Sequence, residues 1–284
     1  MKLKLTFSIL FALLLSSSCR KTDIGNPAYI YIPELKVTTT QAQGSNFIPL
    51  PYVNVFINDN SVGVYALPAK FPVLQEGNVK LEVYPMIKRF ARDGIVHYAV
   101  MQPYGTQIDL KAMETDTLVP EFSYFDNAEF PWLEDFNDNA SSLYVKSGTI
   151  DTFYIENDLS ISRDGTPYMH IDMGTGDSWF EIESQDLFDL PRDGRDIYME
   201  LDYRSNAVFA IGLYATSNSG VIAVPSVSPF PTDTAWTKAF IYLSDETINT
   251  SSDTRFRVYF RAVNATVDNP HIYLDNIKLV YRKG

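Results

Sequence analysis

The chain reads as all-β: two β-sandwich domains in series, the second a jelly roll, behind a cleaved export segment. Three observations predict this. Apolar residues alternate with polar ones over many short runs, the period of a strand with one face on a core. Turn residues punctuate the whole 284-residue length, with 16 Pro and 14 Gly, and few stretches keep a helical period. Aromatic side chains are abundant, 18 Tyr and 18 Phe, enough to fill sandwich cores; a single cysteine leaves no disulfide within the chain.

Taken in order, Lys2 and Lys4 precede an apolar run from Phe7 to Leu15 that only Ser8 interrupts. That is the length of a signal-peptide core and well short of a membrane-spanning helix. The run closes in Leu13-Leu14-Leu15-Ser16-Ser17-Ser18-Cys19. An odd thiol in an exported chain requires a partner or a modification. The stretch resembles the lipobox of bacterial lipoproteins, with Ser16 where Leu is usual, three residues before the cysteine, and Leu15 one further back. The resemblance implies removal of residues 1–18, diacylglycerol on Cys19 and a lipidated tether over 19–26. It also implies a membrane partner: the chain would be held at the outer membrane of a Gram-negative bacterium, facing either the periplasm or the cell surface. Ordinary cleavage that leaves a free thiol is the alternative. Each buried methylene contributes about 0.8 kcal/mol, so several acyl chains anchor durably where one does not.

Charge divides the rest of the chain. The whole sequence carries 23 basic and 35 acidic side chains, a net −12. Residues 20–118 are balanced at nine of each, whereas residues 119–284 hold 12 basic and 26 acidic ones. The discontinuity argues for two domains, and the acidity against nucleic acid as a partner, since a polyanion would be repelled.

The first domain is expected over 27–113. Tyr29-Ile30-Tyr31-Ile32 opens a strand, Tyr52 to Ile57 forms another, and Asn58-Asp59-Asn60-Ser61 supplies a turn. Val79, Leu81 and Val83 share one face of the next strand, opposite Lys80, Glu82 and Tyr84. The block Val53 to Tyr84 resembles the small PEGA-type and carboxypeptidase-regulatory-like β-sandwiches of bacterial envelope proteins, on Val55-Phe56-Ile57-Asn58-Asp59, the Gly63 turn and Leu74-Gln75-Glu76-Gly77. Such domains are spacers or interaction modules. Residues 114–121, short, acidic and closed by Pro120-Glu121, are expected to be a linker.

The second domain is expected over 122–284. Ile197, Met199, Leu201 and Tyr203 alternate with Tyr198, Glu200, Asp202 and Arg204. Ala207, Phe209, Ile211 and Leu213 make a second strand, and Phe256, Val258 and Phe260 a third, among Arg255, Arg257 and Arg261. Several short strands separated by turns favour a sandwich or jelly roll. In the last strand Ile272 and Leu274 share one parity and Ile277, Leu279 and Tyr281 the other, so the phase slips at Asp275-Asn276, as a β-bulge requires. The opening Trp132-Leu133-Glu134-Asp135-Phe136 and the closing Ile272 to Leu279 resemble the first and last strands of galactose-binding-like jelly rolls, a fold shared by many carbohydrate-binding modules.

The candidate sites are few. His97, His170 and His271 stand in no metal-ligand spacing, and nucleophile elbows, phosphate loops and zinc-protease motifs are missing from the sequence. Arg255, Arg257 and Arg261 are expected on an exposed face, paired with Glu200 and Asp202. Trp179 shares a strand face with Glu181 and Glu183, an indole beside acceptors that suits stacking on a sugar with its hydroxyls bonded to the acids. The jelly-roll resemblance implies a structural Ca²⁺ near the first and last strands, with Glu134, Asp135 and Asp275 as its ligands among six to eight oxygens; Asp275 bonding a neighbouring loop is the equal alternative. The leading functional expectation is a non-catalytic, lipid-anchored envelope protein whose jelly roll binds a glycan or cell-wall polysaccharide. The alternative is a structural or accessory subunit that docks on another envelope protein; a hydrolase with two facing carboxylates is a weaker third reading.

The anchor is directly testable: Cys19→Ala is expected to move the protein from membranes to the soluble fraction. A variant that still pellets with membranes and incorporates labelled fatty acid would remove the lipid assignment.

Overall fold

The computed structural model describes residues 25–284 except 93, 149, 151, 175–178 and 264–266. Cys19, the signal segment and most of the tether lie outside the described residues. The described chain is nearly all-β, with little helix and with β-sandwich sheets.

Ten strands form the N-terminal part: β1 (Ala28–Ile32), β2 (Lys36–Thr38), β3 (Tyr52–Ile57), β4 (Asn60–Ala66), β5 (Ala69–Val73), β6 (Gly77–Lys88), β7 (Ile95–His97), β8 (Tyr104–Leu110), β9 (Thr115–Thr117) and β10 (Glu121–Ser123). One sheet runs β4-β3-β6-β7 with β8 also on β6, a second runs β5-β1-β9, and β10 and β2 form a two-stranded third. The β3–β4 turn uses Asn58 and Asp59 at φ 48° and 64°, the left-handed region those residues tolerate. Val79, Leu81 and Val83 of β6 face the core as their alternation predicts. The expected linker is different. β9 lies inside residues 114–121 and pairs in parallel with β1, Tyr29 opposite Thr115 and Tyr31 opposite Thr117, while β10 pairs in parallel with β2. Three-residue parallel pairings leave no local pattern, so the sequence reads there as polar and irregular.

The remaining strands are β11 (Ala128–Glu134), β12 (Leu143–Gly148), β13 (Tyr154–Glu156), β14 (Tyr168–Asp172), β15 (Trp179–Ser184), β16 (Ile197–Ser205), β17 (Ala210–Ser217), β18 (Gly220–Val227), β19 (Thr237–Tyr242), β20 (Arg255–Val263) and β21 (His271–Arg282). They form a six-stranded sheet, β13-β14-β21-β16-β19 with β11 on β21, and a five-stranded sheet, β12-β15-β20-β17-β18. The inward parity of both sheets fills one core, with Met199, Leu201, Ile211, Leu213, Phe256, Val258 and Phe260 among its members. First and last strands are neighbours, Trp132 opposite Leu279. The phase slip is a bulge: β21 shifts register against β16 between Glu200 and Asp202, and Asn276 sits at φ 48°.

The outward parity of β16 departs from the sequence expectation. Glu200 and Asp202 are not solvated, nor do they meet Arg255, Arg257 and Arg261; both are fully buried, Glu200 against Tyr98 and Tyr124 and Asp202 against Arg163 and Lys238. Tyr198, Phe240 and Val280, from the outer face of the six-stranded sheet, belong to the N-terminal hydrophobic cluster. Glu200 accepts hydrogen bonds from Tyr98 and, at 2.5 Å, Tyr124. Lys238 lies 3.4 Å and Lys278 4.0 Å from its other oxygen, and Lys278 Nζ also donates to the Gln43 carbonyl at 2.6 Å. Asp202 is paired by Arg163 and accepts from Asn276 Nδ2 at 3.1 Å. Burial alone would raise the Glu200 carboxyl, but Lys278 and Lys238 beside it hold it below its ordinary value.

Removing one partner from a buried charge network leaves the others uncompensated, at a cost of about 3–5 kcal/mol. Glu200→Ala is therefore expected to lower unfolding stability by that amount in urea titration; a loss below about 1 kcal/mol would show that the network does not join the two halves.

Candidate ligand-binding face

Among the described residues, the N-terminal part does not pack on the outer face of the five-stranded sheet. On β15 the alternation puts Phe180 and Ile182 in the core and Trp179, Glu181 and Glu183 outward, so the three expected ligand-binding residues do share a face. Trp179 is 37% exposed. Glu181 and Glu183 are not: both are buried, and their oxygens are occupied by the protein.

β20 lies beside β15, with Arg261 opposite Glu181 and Tyr259 opposite Glu183. Arg261 Nε donates to Glu181 at 2.7 Å, with a second guanidinium bond to the same oxygen, and Tyr214 on β17 donates to the other oxygen at 2.6 Å. Glu183 accepts from Tyr144 and from Lys146 Nζ at 3.0 Å, both on β12, and Arg257 stands 3.6 Å away. Burial would push the Glu181 carboxyl up, and the bonds from Tyr214 and Arg261 outweigh it, so the group titrates below its ordinary value. For Glu183 burial wins over Arg257 and the carboxyl is raised.

The floor of the face is aromatic. Tyr214 and Tyr259 pack 4.9 Å apart, and Lys146 Nζ lies 3.7 Å above the Tyr214 ring. Tyr259 crosses over Gly212, where a Cβ would meet its hydroxyl at 2.5 Å, so only glycine admits the ring there. The layer presented to solvent is Trp179 together with the half-buried cations Lys146, Arg257 and Arg261. The arginines do form a row, as their alternation on β20 predicts, but the acids they meet are Asp189 for Arg255, Glu183 for Arg257 and Glu181 for Arg261, and not those of β16. Sequence reasoning missed Tyr144, Lys146, Gly212, Tyr214 and Tyr259; the shared outward parity of Gly212 with Tyr214, and of Tyr259 with the arginines, was the available signal.

The expected calcium ligands are not gathered. Glu134 closes the turn after β11, accepting from the Ser142 amide at 2.5 Å, the Ser142 hydroxyl at 2.6 Å and the Phe136 amide at 3.2 Å. Asp135 accepts from the Asn137 amide at 3.2 Å. Asp275 is fully buried opposite Asp202; one oxygen accepts from the Asn276 amide at 2.7 Å and the other has no hydrogen-bond partner among the described residues. Among the described residues no three His, Cys, Asp or Glu side chains group to hold a metal ion. Trp132 is a core residue stacked on Phe188, and Trp236 donates to the Ile161 carbonyl at 2.6 Å.

No protein-family model matches the chain, and no curated protein matches it. Among solved structures, it is similar to a family 30 carbohydrate-binding module of a Clostridium thermocellum cellulosomal cellulase, at 19% identity and TM-score 0.37, over 52% of this chain and 89% of that one. It is also similar to a xylan-binding domain from Paenibacillus barcinonensis, at 10% identity and TM-score 0.41, over 55% and 97%. A third is a family 11 module from Clostridium thermocellum in complex with a mixed-linked tetrasaccharide, at 18% identity and TM-score 0.37, over 54% and 94%.

Asp275 generates a pH prediction. Burial pushes its carboxyl up to about 8 from an ordinary 3.8. Between those values the folded protein keeps a proton that the unfolded chain has released, so this group's contribution to stability falls as pH rises from about 4 to 8. Asp275→Asn removes that dependence. The variant is expected to match the wild type near pH 4 and to exceed it at pH 8 by more than about 1 kcal/mol in urea titrations; parallel stability profiles would refute the assignment.

Proposed function

We propose that the outer face of the five-stranded sheet is a glycan-binding surface, and that the chain is a non-catalytic binding protein held at the cell envelope through Cys19. One observation supports this reading: a part-exposed indole, Trp179, shares with three cationic donors, Lys146, Arg257 and Arg261, a sheet face that the described N-terminal part does not cover. An indole stacks on the C–H face of a sugar ring, and fixed N–H donors bond to its hydroxyl oxygens. The donors are held in place by Glu181 and Glu183, which lowers the ordering cost of binding.

The same pairing argues against hydrolysis. A glycosidase needs one carboxyl free to deliver a proton and another free to act as nucleophile or base. Here each carboxylate is enclosed by an arginine, a lysine and a tyrosine of its own protein. The envelope location rests on the apolar run and Cys19 alone.

Affinity electrophoresis against a panel of soluble plant and bacterial polysaccharides tests the reading. Trp179→Ala is expected to weaken binding to the retained polysaccharide about tenfold, the scale of one lost aromatic stacking contact plus its buried area, while a thermal melt reports that the fold is kept. Retention by none of the panel, or undiminished retention of the variant, would count against a glycan surface centred on Trp179.

A further inference from the structure

The six-stranded sheet is only partly covered by the N-terminal part. At its β13–β14 end the outer face carries two of the chain's three histidines, brought together from 101 residues apart. β14 and β21 pair antiparallel with His170 opposite Tyr273 and Asp172 opposite His271. The His170 ring stacks on Tyr273 at 4.4 Å, and the His271 amide is held by Asn206 Oδ1 at 2.7 Å. His170 Nε2 and His271 Nδ1 face one another at 3.0 Å. On its other side His170 Nδ1 contacts Glu156 Oε1 at 2.9 Å.

We propose that His170 and His271 form a two-imidazole site for a divalent transition metal, with Cu²⁺ favoured and water in the remaining positions. Metal–nitrogen bonds of about 2.0–2.1 Å place two adjacent imidazole nitrogens roughly 2.9–3.4 Å apart, from square to tetrahedral geometry, so the observed separation already suits a shared cation. A metal bound to both nitrogens sits off the line that joins them, and the proton of the present hydrogen bond passes from His271 Nδ1 to solvent while His271 Nε2 takes up its own. Glu156 supplies what such a site needs behind the ligand: a carboxylate on the far ring nitrogen fixes the tautomer with Nε2 unprotonated and holds the ring in place. Copper(II) stands highest in the affinity order of first-row divalent metals for nitrogen and oxygen donors and takes the square arrangement that the shorter spacing favours.

Access and charge agree with this. His271 is about one-third exposed and borders an open hollow of about 280 Å³ lined also by Arg204, Asn206, Asp233 and Tyr273. Water or an oxygen-donor ligand can reach the open coordination positions from that side. Asp172 Oδ1, 3.7 Å from His271 Nδ1, adds negative potential at the rim. This site is separate from the proposed glycan surface, being on the outer face of the opposite sheet.

The test uses the full chain without an affinity tag, titrated with Cu²⁺ by calorimetry and examined by electron paramagnetic resonance. One saturable equivalent is expected, with a spectrum showing two imidazole nitrogens. His170→Asn and His271→Asn should each weaken binding tenfold or more, and Glu156→Gln by about 10–100-fold. His271 is the more exposed ligand, so its variant keeps the test readable if His170→Asn misfolds. No saturable binding by the wild type, a spectrum with fewer than two imidazole nitrogens, or binding undiminished in His271→Asn would overturn the site. Undiminished binding in Glu156→Gln would overturn the positioning role of Glu156.

Discussion

A carboxylate with no access to water must find its partners inside the protein, and for Glu200 those partners come from both halves of the chain. Tyr98 and Tyr124 reach it from the N-terminal part, Lys238 and Lys278 from the six-stranded sheet itself. Around the charges lies an apolar seam in which Tyr98 meets Tyr198 and Phe240 edge-on at 5.1 and 5.2 Å. Burial sets the terms for each member: it pulls the Lys278 ammonium down to about 8 and pushes the Tyr98 and Tyr124 hydroxyls well up, so the tyrosines remain donors. The availability of every other surface follows from this seam. It covers the β21-β16-β19 side of the six-stranded sheet and leaves two outward faces, the five-stranded sheet with Trp179 and the β13–β14 end with the paired histidines.

How much of this was legible in the sequence depends on whether the determining contact was local. Alternation gave the inward parity of β6, β16 and β20 correctly, because the period of a strand does not depend on what covers it. The bulge at Asp275-Asn276 was legible for the same reason: an apolar pattern that changes parity within one strand has to be absorbed where it changes. The burial of Glu200 was not legible. Its strand alternates as a half-exposed strand would, and the residues that cover it lie some 75 to 100 positions upstream, outside any local pattern. β9 escaped for a related reason, since its pairing with β1 spans more than eighty residues and only three positions.

The candidate face shows the same division. The shared parity of Trp179, Glu181 and Glu183 was readable, and so was the row of arginines on β20. Their pairing was not, because it depends on sheet order: β20 neighbours β15 and β17, while β16 belongs to the other sheet. Once that order is known, Arg261 falls opposite Glu181, and Tyr259 falls between Glu183 and Gly212. The histidine pair was hidden likewise. His170 and His271 follow no ligand spacing in sequence, yet β14 and β21 are neighbours.

Sheet order also changes what the acidity of the C-terminal half means. Read from composition, 26 acidic against 12 basic side chains suggests a solvated, repelling surface or a cation-binding one. In the structure Glu181, Glu183, Glu200, Asp202 and Asp275 are all buried. The first four are met by Lys146, Arg163, Lys238, Arg257, Arg261 and Lys278, half of the basic side chains in that region. These acids therefore contribute little to the surface field and instead fix the positions of cations. Glu181 and Glu183 make the point most directly. As acceptors for a ligand they are already engaged, but as anchors they hold Arg261, Lys146 and Arg257 on the face that carries Trp179, where long side chains would otherwise be free to rotate. The recognition chemistry of the face thus belongs to the donors, and the carboxylates supply its rigidity.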